Sequence, residues 1–189
     1  MASDAELIGW SLAGDGEAFV GVVRRHEVAV GAYLSRRAGS VVAKDLLGEV
    51  WLGAFRSRST YDRSFSDARP WLYGVARNTL RHHWRSLPTE ELFADVADVA
   101  SGWDPWPAVD ERFDTDAALR TALMHLRPAE RDVLTLVVWE DLSVADAARA
   151  LGIPAGTAYR YLHQARMTLR SAPGMVDLLT GLNTVKDSK

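Results

Sequence analysis

Cysteine is absent from this chain. That excludes a disulfide framework, a thiolate metal site and a cysteine nucleophile together. No apolar run approaches membrane-spanning length, and the opening MASDAELIGW lacks the basic start and apolar stretch of a signal peptide. The expectation is a cytoplasmic protein with no membrane insertion. Glycine-rich phosphate loops and the G-x-S-x-G elbow are missing too. His82 and His83 are the one pair that invites a metal reading. Neighbours on a helix point about 100° apart, and no carboxylate stands three or four positions away on the same helix. His26 and Glu27, on a core-forming helix, read as structural. No catalytic residue, metal ligand or cofactor is therefore expected.

Charge is also scarce overall, at −3, but it is unevenly spread. Residues 1–87 carry 12 Arg/Lys against 9 Asp/Glu, a net of +3, and residues 117–189 carry 9 against 7, a net of +2. Between them, residues 88–116 carry 1 against 9, a net of −8. Two mildly basic blocks are joined by an acidic one, which the whole-chain value conceals. No internal repeat is visible. The expected division is a helical domain over 1–87, an acidic linker over 88–113, a second helical domain over 114–172 and a tail over 173–189. The fold class is all-α, with two small domains and a flexible connection.

The first block reads as helical. Glu17–Arg37 places Phe19, Val22, Val23, His26, Val30, Tyr33 and Leu34 on one broad face. Val42–Arg56 turns Leu46, Leu47, Val50, Trp51 and Ala54 inward, leaving Asp45, Gly48, Glu49, Leu52 and Arg56 outward. Ser57–Ala68 is a polar loop holding Tyr61 and Phe65. Arg69–Ser86 is a helix started by Pro70, with Leu72, Val75, Ala76, Thr79, Leu80 and His83 toward the core. Its outer face carries Gly74, Asn78, Arg81 and Arg85, with Arg77 beside them and Trp71, Tyr73 and Trp84 nearby. Cations for phosphates, a planar amide for a base edge and aromatics for stacking are what a single-strand surface requires. The plainer alternative makes the aromatics packing and the arginines a solvated face.

Leu87–Asp114 has three prolines and no sustained helical period, so it reads as the linker. Leu92, Phe93, Trp103 and Trp106 suggest that it lies against something. The second block opens at Thr115 with Ala118, Leu119, Ala122, Leu123 and Leu126. A helix from Pro128 to Glu140 follows, packed by Val133, Leu134, Val137 and Val138. From Ser171 a tail begins, with Met175–Leu182 as a last short helix.

Asp141–Arg170 is the most explicit stretch. Ser143 and Asp146 have the spacing of a capping box. Val144, Ala147, Ala148 and Leu151 recur at helical spacing, Gly152 ends that helix, and Pro154 opens another. Ala158, Leu162, Ala165 and Leu169 form the second core face. Arg160 and Gln164 are expected opposite it, flanked by Gly156, Thr157 and Met167. Tyr159, His163, Arg166 and Arg170 fall on one shoulder and Tyr161 on the other. Arg and Gln make paired hydrogen bonds to guanine and adenine in the major groove, where a helix-turn-helix lays its second helix. An ordinary helical hairpin is the bland alternative; the cap, the Gly-x-Pro punctuation and the Arg/Gln ridge favour DNA.

Four segments together resemble a bacterial RNA polymerase sigma factor of the extracytoplasmic-function (ECF) group. They are D-L-L-G-E-V-W-L at Asp45–Leu52, P-W-L-Y-G-V-A-R-N at Pro70–Asn78, L-R-P-A-E-R-D-V-L at Leu126–Leu134, and L-S-V-A-D-A-A-R-A-L-G-I-P-A-G-T at Leu142–Thr157. Their order and spacing match over residues 16–171. The resemblance implies that Asp45, Gly48, Glu49, Leu52 and Arg56 dock on the β′ clamp helices of core RNA polymerase. Tyr61, Phe65, Trp71, Gly74, Arg77, Asn78, Arg81 and Arg85 would hold the non-template strand of the minus-ten element, with Asn78 facing a flipped base. Thr157, Tyr159, Arg160, Tyr161, His163, Gln164 and Arg166 would read the minus-thirty-five duplex. The linker would thread the polymerase channels, and an anti-sigma protein is a further implied partner. This chain departs from the pattern at Gly48, where the family commonly has Gln. It departs again at Tyr159, Arg160 and Tyr161, where the family reads basic, Ser, basic, and at Gln164, which is commonly basic. The rival reading is a free-standing helix-turn-helix regulator that binds duplex operators and never opens DNA.

Overall fold

The computed structural model describes residues 2–86 and 123–170. The chain divides into two compact units, Met1–Asp110 and Glu111–Lys189. Every regular element among the described residues is helical. The dividing point falls inside the expected linker. That linker, residues 115–122 of the stretch opening the second block, and the tail from Ser171 lie outside the described residues, while Leu123 and Leu126 of that stretch are buried as expected.

The first unit opens with a helix that the sequence pattern did not single out, α1 (Asp4–Leu12). Its start is a reciprocal cap. Glu6 N–H donates to Ser3 Oγ (3.3 Å), and Ser3 N–H donates to Glu6 Oε2 (2.7 Å). Those donations from the Ser3 backbone and hydroxyl hold the Glu6 carboxyl below its usual range.

Next comes α2 (Gly16–Ser57), capped by Asp15 and interrupted at Gly39, whose φ of 76° and ψ of 159° lie where side chains other than hydrogen are strained. The expected helices 17–37 and 42–56 are its two arms. The first arm buries Phe19, Val22, His26, Val30, Tyr33 and Leu34, with Val23 only half-buried; the second buries Leu46, Val50 and Ala54, with Leu47 and Trp51, expected inward, half-buried. A 3-10 turn at Arg58–Thr60 leads through the loop to α3 (Arg69–Ser86).

Helix α3 packs on α2 through Leu72, Tyr73, Ala76 and Leu80. Val75, Thr79 and His83, expected in the core, are half-buried instead. Tyr73 lies 5.1 Å from Tyr33, ring to ring and tilted, and the guanidinium of the buried Arg37 sits 4.4 Å from the Tyr33 ring centre. For Tyr73, the packing alternative is the right one.

The second unit contains α4 (Pro128–Val138), α5 (Val144–Leu151) and α6 (Ala155–Arg170). Helix α4 is enclosed rather than amphipathic: Glu130 to Val137 are all buried. Within it, Arg131 gathers the carbonyls of the preceding turn. Its guanidinium donates to Leu123 O (2.8 Å), Met124 O (3.3 Å) and Leu126 O (2.9 Å). Leu123 O also accepts from Leu126 N–H (3.2 Å), so the guanidinium adds a second bond there and braces the turn into α4.

Candidate nucleic-acid interfaces

On α3, Asn78, Arg81 and Arg85 are exposed in one line, with Gly74, Arg77 and Trp71 half-buried beside them. The preceding loop is stiffened from below by Tyr61. This side chain is 7% exposed, donates its hydroxyl proton to Phe65 O (2.5 Å) and packs 5.4 Å from the Trp71 ring. Tyr61 was expected among the side chains that hold the minus-ten strand. Its burial makes it the prop of the loop, because its hydroxyl finds a carbonyl four residues ahead. The accessible aromatics are Phe65, which is exposed, and Trp71, whose indole N–H donates to Thr60 Oγ1 (3.4 Å).

On the second arm of α2, Asp45, Gly48, Glu49, Leu52 and Arg56 are all exposed as expected. Two further apolar residues join them. Val41 (77% exposed) and Phe55 (37%) continue the stripe that runs through Asp45, Gly48 and Leu52 at helical spacing. Exposed Val and Phe on an otherwise amphipathic helix are the signal that sequence reasoning passed over. A Cβ at Gly48 would meet nothing within 4 Å, so no neighbour requires glycine there.

In the second unit, α5 and α6 form the helix-turn-helix. The expected Ser143–Asp146 cap forms. Asp146 N–H donates to Ser143 Oγ (3.1 Å), and the Asp146 carboxylate is held by the Ser143 hydroxyl (2.7 Å), the Ser143 backbone and Arg149. Partial burial would raise that carboxyl, yet the bonds from Arg149 and Ser143 outweigh it and hold it below its usual range. Gly152 ends α5 in the left-handed region (φ 66°, ψ 34°). Pro154 sits just before α6, its carbonyl accepting from Thr157 N–H (2.9 Å) and Ala158 N–H (3.1 Å).

Ala158, Leu162, Ala165 and Leu169 are buried as the pattern requires. Tyr159, Arg160 and His163 are exposed; Thr157, Tyr161 and Arg166 are half-buried. Arg160 leans over Tyr161, 5.5 Å from the ring centre. Gln164 does not lie opposite the core. Six positions past Ala158 is about 120° to the side of the core line. There it is half-buried in a cleft with His125, Arg127 and Glu130.

One residue escaped the sequence reading entirely. Asp4, 2% exposed, lies 2.7 Å from His26 Nε2 and accepts from Ala68 N–H (2.8 Å). With Asp67, these side chains make the one grouping of metal-capable atoms among the described residues, all within 4.8 Å of one another. Each is already engaged: Asp4 as above and with Arg25, Asp67 with the N–H and guanidinium of Arg69. The lone clue in the sequence was a buried-face His26 that would need an acid partner.

The helix-turn-helix of the second unit points to a DNA-binding class of protein, and comparison with known proteins agrees. Residues 22–88 match Sigma-70 region 2, and residues 116–169 match Sigma-70 region 4. The chain is 32% identical to the ECF RNA polymerase sigma factor SigM of Mycobacterium tuberculosis over 96% of its own length and 89% of that protein. It is 30% identical to the ECF sigma factor BldN of Streptomyces coelicolor over 87% of this chain, and spans 63% of BldN. Among solved structures, CnrH in complex with the cytosolic domain of CnrY aligns with a TM-score of 0.61 at 21% identity, covering 94% of this chain and 97% of that one. The sigma factor RpoE bound to the anti-sigma factor NepR from Bartonella quintana aligns at 0.58 and 20%, covering 86% and 96%. The chain belongs to the ECF sigma factors, the subunits with which RNA polymerase initiates transcription.

Proposed function

We propose that the first unit captures the non-template strand of the minus-ten element while the second reads the minus-thirty-five element as duplex. The observation that carries this reading is the exposed line of Asn78, Arg81 and Arg85 beside Phe65 and Trp71. A regulator that binds only duplex operators has no use for it. Unstacking promoter bases costs a few kcal/mol per step, and capture of an extruded base offsets that cost without covalent chemistry. The protein therefore contributes no catalytic group of its own, and it works in the cytoplasm, where polymerase and promoter are. In this reading the chain functions as domains 1–87 and 114–172, joined by the acidic segment 88–113. Run-off transcription with core polymerase on promoters from the same genome tests the whole reading. Operator-like DNA binding with no transcript would favour the free-standing regulator.

The stripe Val41–Asp45–Gly48–Leu52–Phe55, with Glu49 and Arg56 alongside, is the docking face for the β′ clamp helices. Glu49→Lys reverses a charge there while leaving the buried side of α2 untouched. Affinity for core polymerase should fall at least about tenfold, since like charges facing each other across an interface cost several kcal/mol, with helical content and melting temperature unchanged. Normal core binding by this variant would put the docking face elsewhere. The complex of the sigma factor RpoE with the anti-sigma factor NepR supports an anti-sigma partner for this chain as well.

On α6, Tyr159, Arg160 and His163 are the best-presented groups for base edges, and Gln164 is a lateral contact. Arg160→Ala should remove ~1–3 kcal/mol of discrimination at one or two upstream base pairs. Opening of a pre-melted template should not change. Competition binding against single-base variants of the upstream element measures it; an unaltered preference profile would take Arg160 out of the readout.

A further inference from the structure

Helix α1 lies ahead of residue 22, where the match to Sigma-70 region 2 begins, and neither the docking face nor the strand surface includes it. It is nonetheless fastened to the loop that carries Phe65. Asp4 Oδ2 accepts from Ala68 N–H (2.8 Å) and faces His26 Nε2 (2.7 Å), while Oδ1 pairs with the Arg25 guanidinium. The Asp4 N–H donates to Ser66 O (3.2 Å). Ala68 is the residue on which α3 begins, its carbonyl accepting from Leu72 N–H (2.9 Å). An alanine has no side-chain oxygen to organise a helix start, so a carboxylate brought from α1 anchors this junction. A second touch occurs at Gly9, where a Cβ would lie 3.0 Å from Arg63 Nη1. Burial alone would raise the Asp4 carboxyl; the bonds from His26 and Ala68, with the nearby Arg25 charge, bring it below its usual range. It is an anion with every donor around it in place.

We infer that Asp4 is a positioning residue for the strand-binding surface, holding the Phe65 loop and the first turn of α3 in register through Ala68 and Ser66. The inference rests on the reading of that surface given above. No member of the Asp4 cluster belongs to the second arm of α2, so the docking face does not depend on it. Loss of the carboxylate leaves the buried Ala68 N–H and the His26 ring nitrogen without their partner, while Arg25 keeps Ala2 O (2.8 Å), and the Ala68 junction loses its side-chain tie to α1.

The test uses holoenzyme assembled from core polymerase and the full chain. Its probe is fluorescein-labelled single-stranded DNA carrying the non-template minus-ten sequence of a promoter that the parent transcribes. Asp4→Ala should weaken binding of this probe ~tenfold relative to a scrambled strand, the scale of one buried unsatisfied group. Affinity for core should stay within about twofold, whereas a merely structural role would lower both together. Asp4→Asn, which can still accept from Ala68 N–H, should recover most of the loss. If the alanine variant is unfolded at the assay temperature, the asparagine variant carries the test with a ~threefold change expected. Unchanged probe discrimination, or an equal loss of core affinity, overturns the positioning role. A parent holoenzyme that does not prefer the minus-ten strand over the scrambled one would instead overturn the strand surface itself.

Discussion

Holoenzyme carrying Asn78→Ala should leave minus-ten thymines unreactive to permanganate on an intact promoter while still retaining the upstream duplex. Asn78 is exposed on α3, one turn beyond Gly74 and one turn before Arg81 and His82. Its amide both donates and accepts, as an unpaired base edge requires. Removing it leaves the captured base short of partners, a loss of ~1–3 kcal/mol against an opening step that is itself only a few kcal/mol uphill. Opening should therefore fall by about tenfold or more. A pre-melted template should restore only part of the defect, because the missing contact is to the unpaired base and not to the closed duplex. Normal opening by the variant would remove α3 from the melting surface and strengthen the operator-binding alternative.

The largest effect on stability should come from Arg131→Met in the second unit. Methionine nearly fills the space of the arginine stem, so the loss is chiefly of hydrogen bonds. Leu126 O would lose a buried donor and Met124 O a partly exposed one, while Leu123 O would keep the Leu126 N–H. The loss should be ~1–2 kcal/mol, most of it from the Leu126 carbonyl. For a unit of this size that corresponds to a fall in melting temperature of about 4–16 °C. Duplex binding at the minus-thirty-five element should weaken on warming before the first unit's docking on polymerase does. A thermal scan that shows the second unit melting where the parent does would mean that solvent or a rearranged turn replaces the guanidinium.

Helices that bury one face were legible from spacing alone: the two arms of α2 and the Ala158–Leu169 core line behave as their periodicity requires. Gly152 was legible because a left-handed helix end selects glycine. Side-chain hydrogen bonds were not. Tyr61 could not be placed from its position in a polar loop, because its burial depends on a carbonyl that only the folded loop presents. Asp4 was invisible because its partners stand 21, 22 and 64 positions away. Gln164 was an error of phase, since a residue 120° from a core line is a flank and not a summit. The exposed Val41 and Phe55 were in plain view, but a reading intent on polar groups does not look for apolar ones facing water.

The enclosure of α4 has an evolutionary side. With Glu130 through Val137 all buried, nearly every substitution there meets a neighbour, and the helix is free to change almost nowhere. Tyr159, Arg160 and His163 on α6 stand outside that packing. If these three read the promoter as proposed, its preference can drift, one exposed side chain at a time, without touching what keeps the unit folded. A lineage carrying duplicated copies of this chain could assign each copy to a different set of genes by changes confined to a few outward positions, while α4 passes through every copy unaltered.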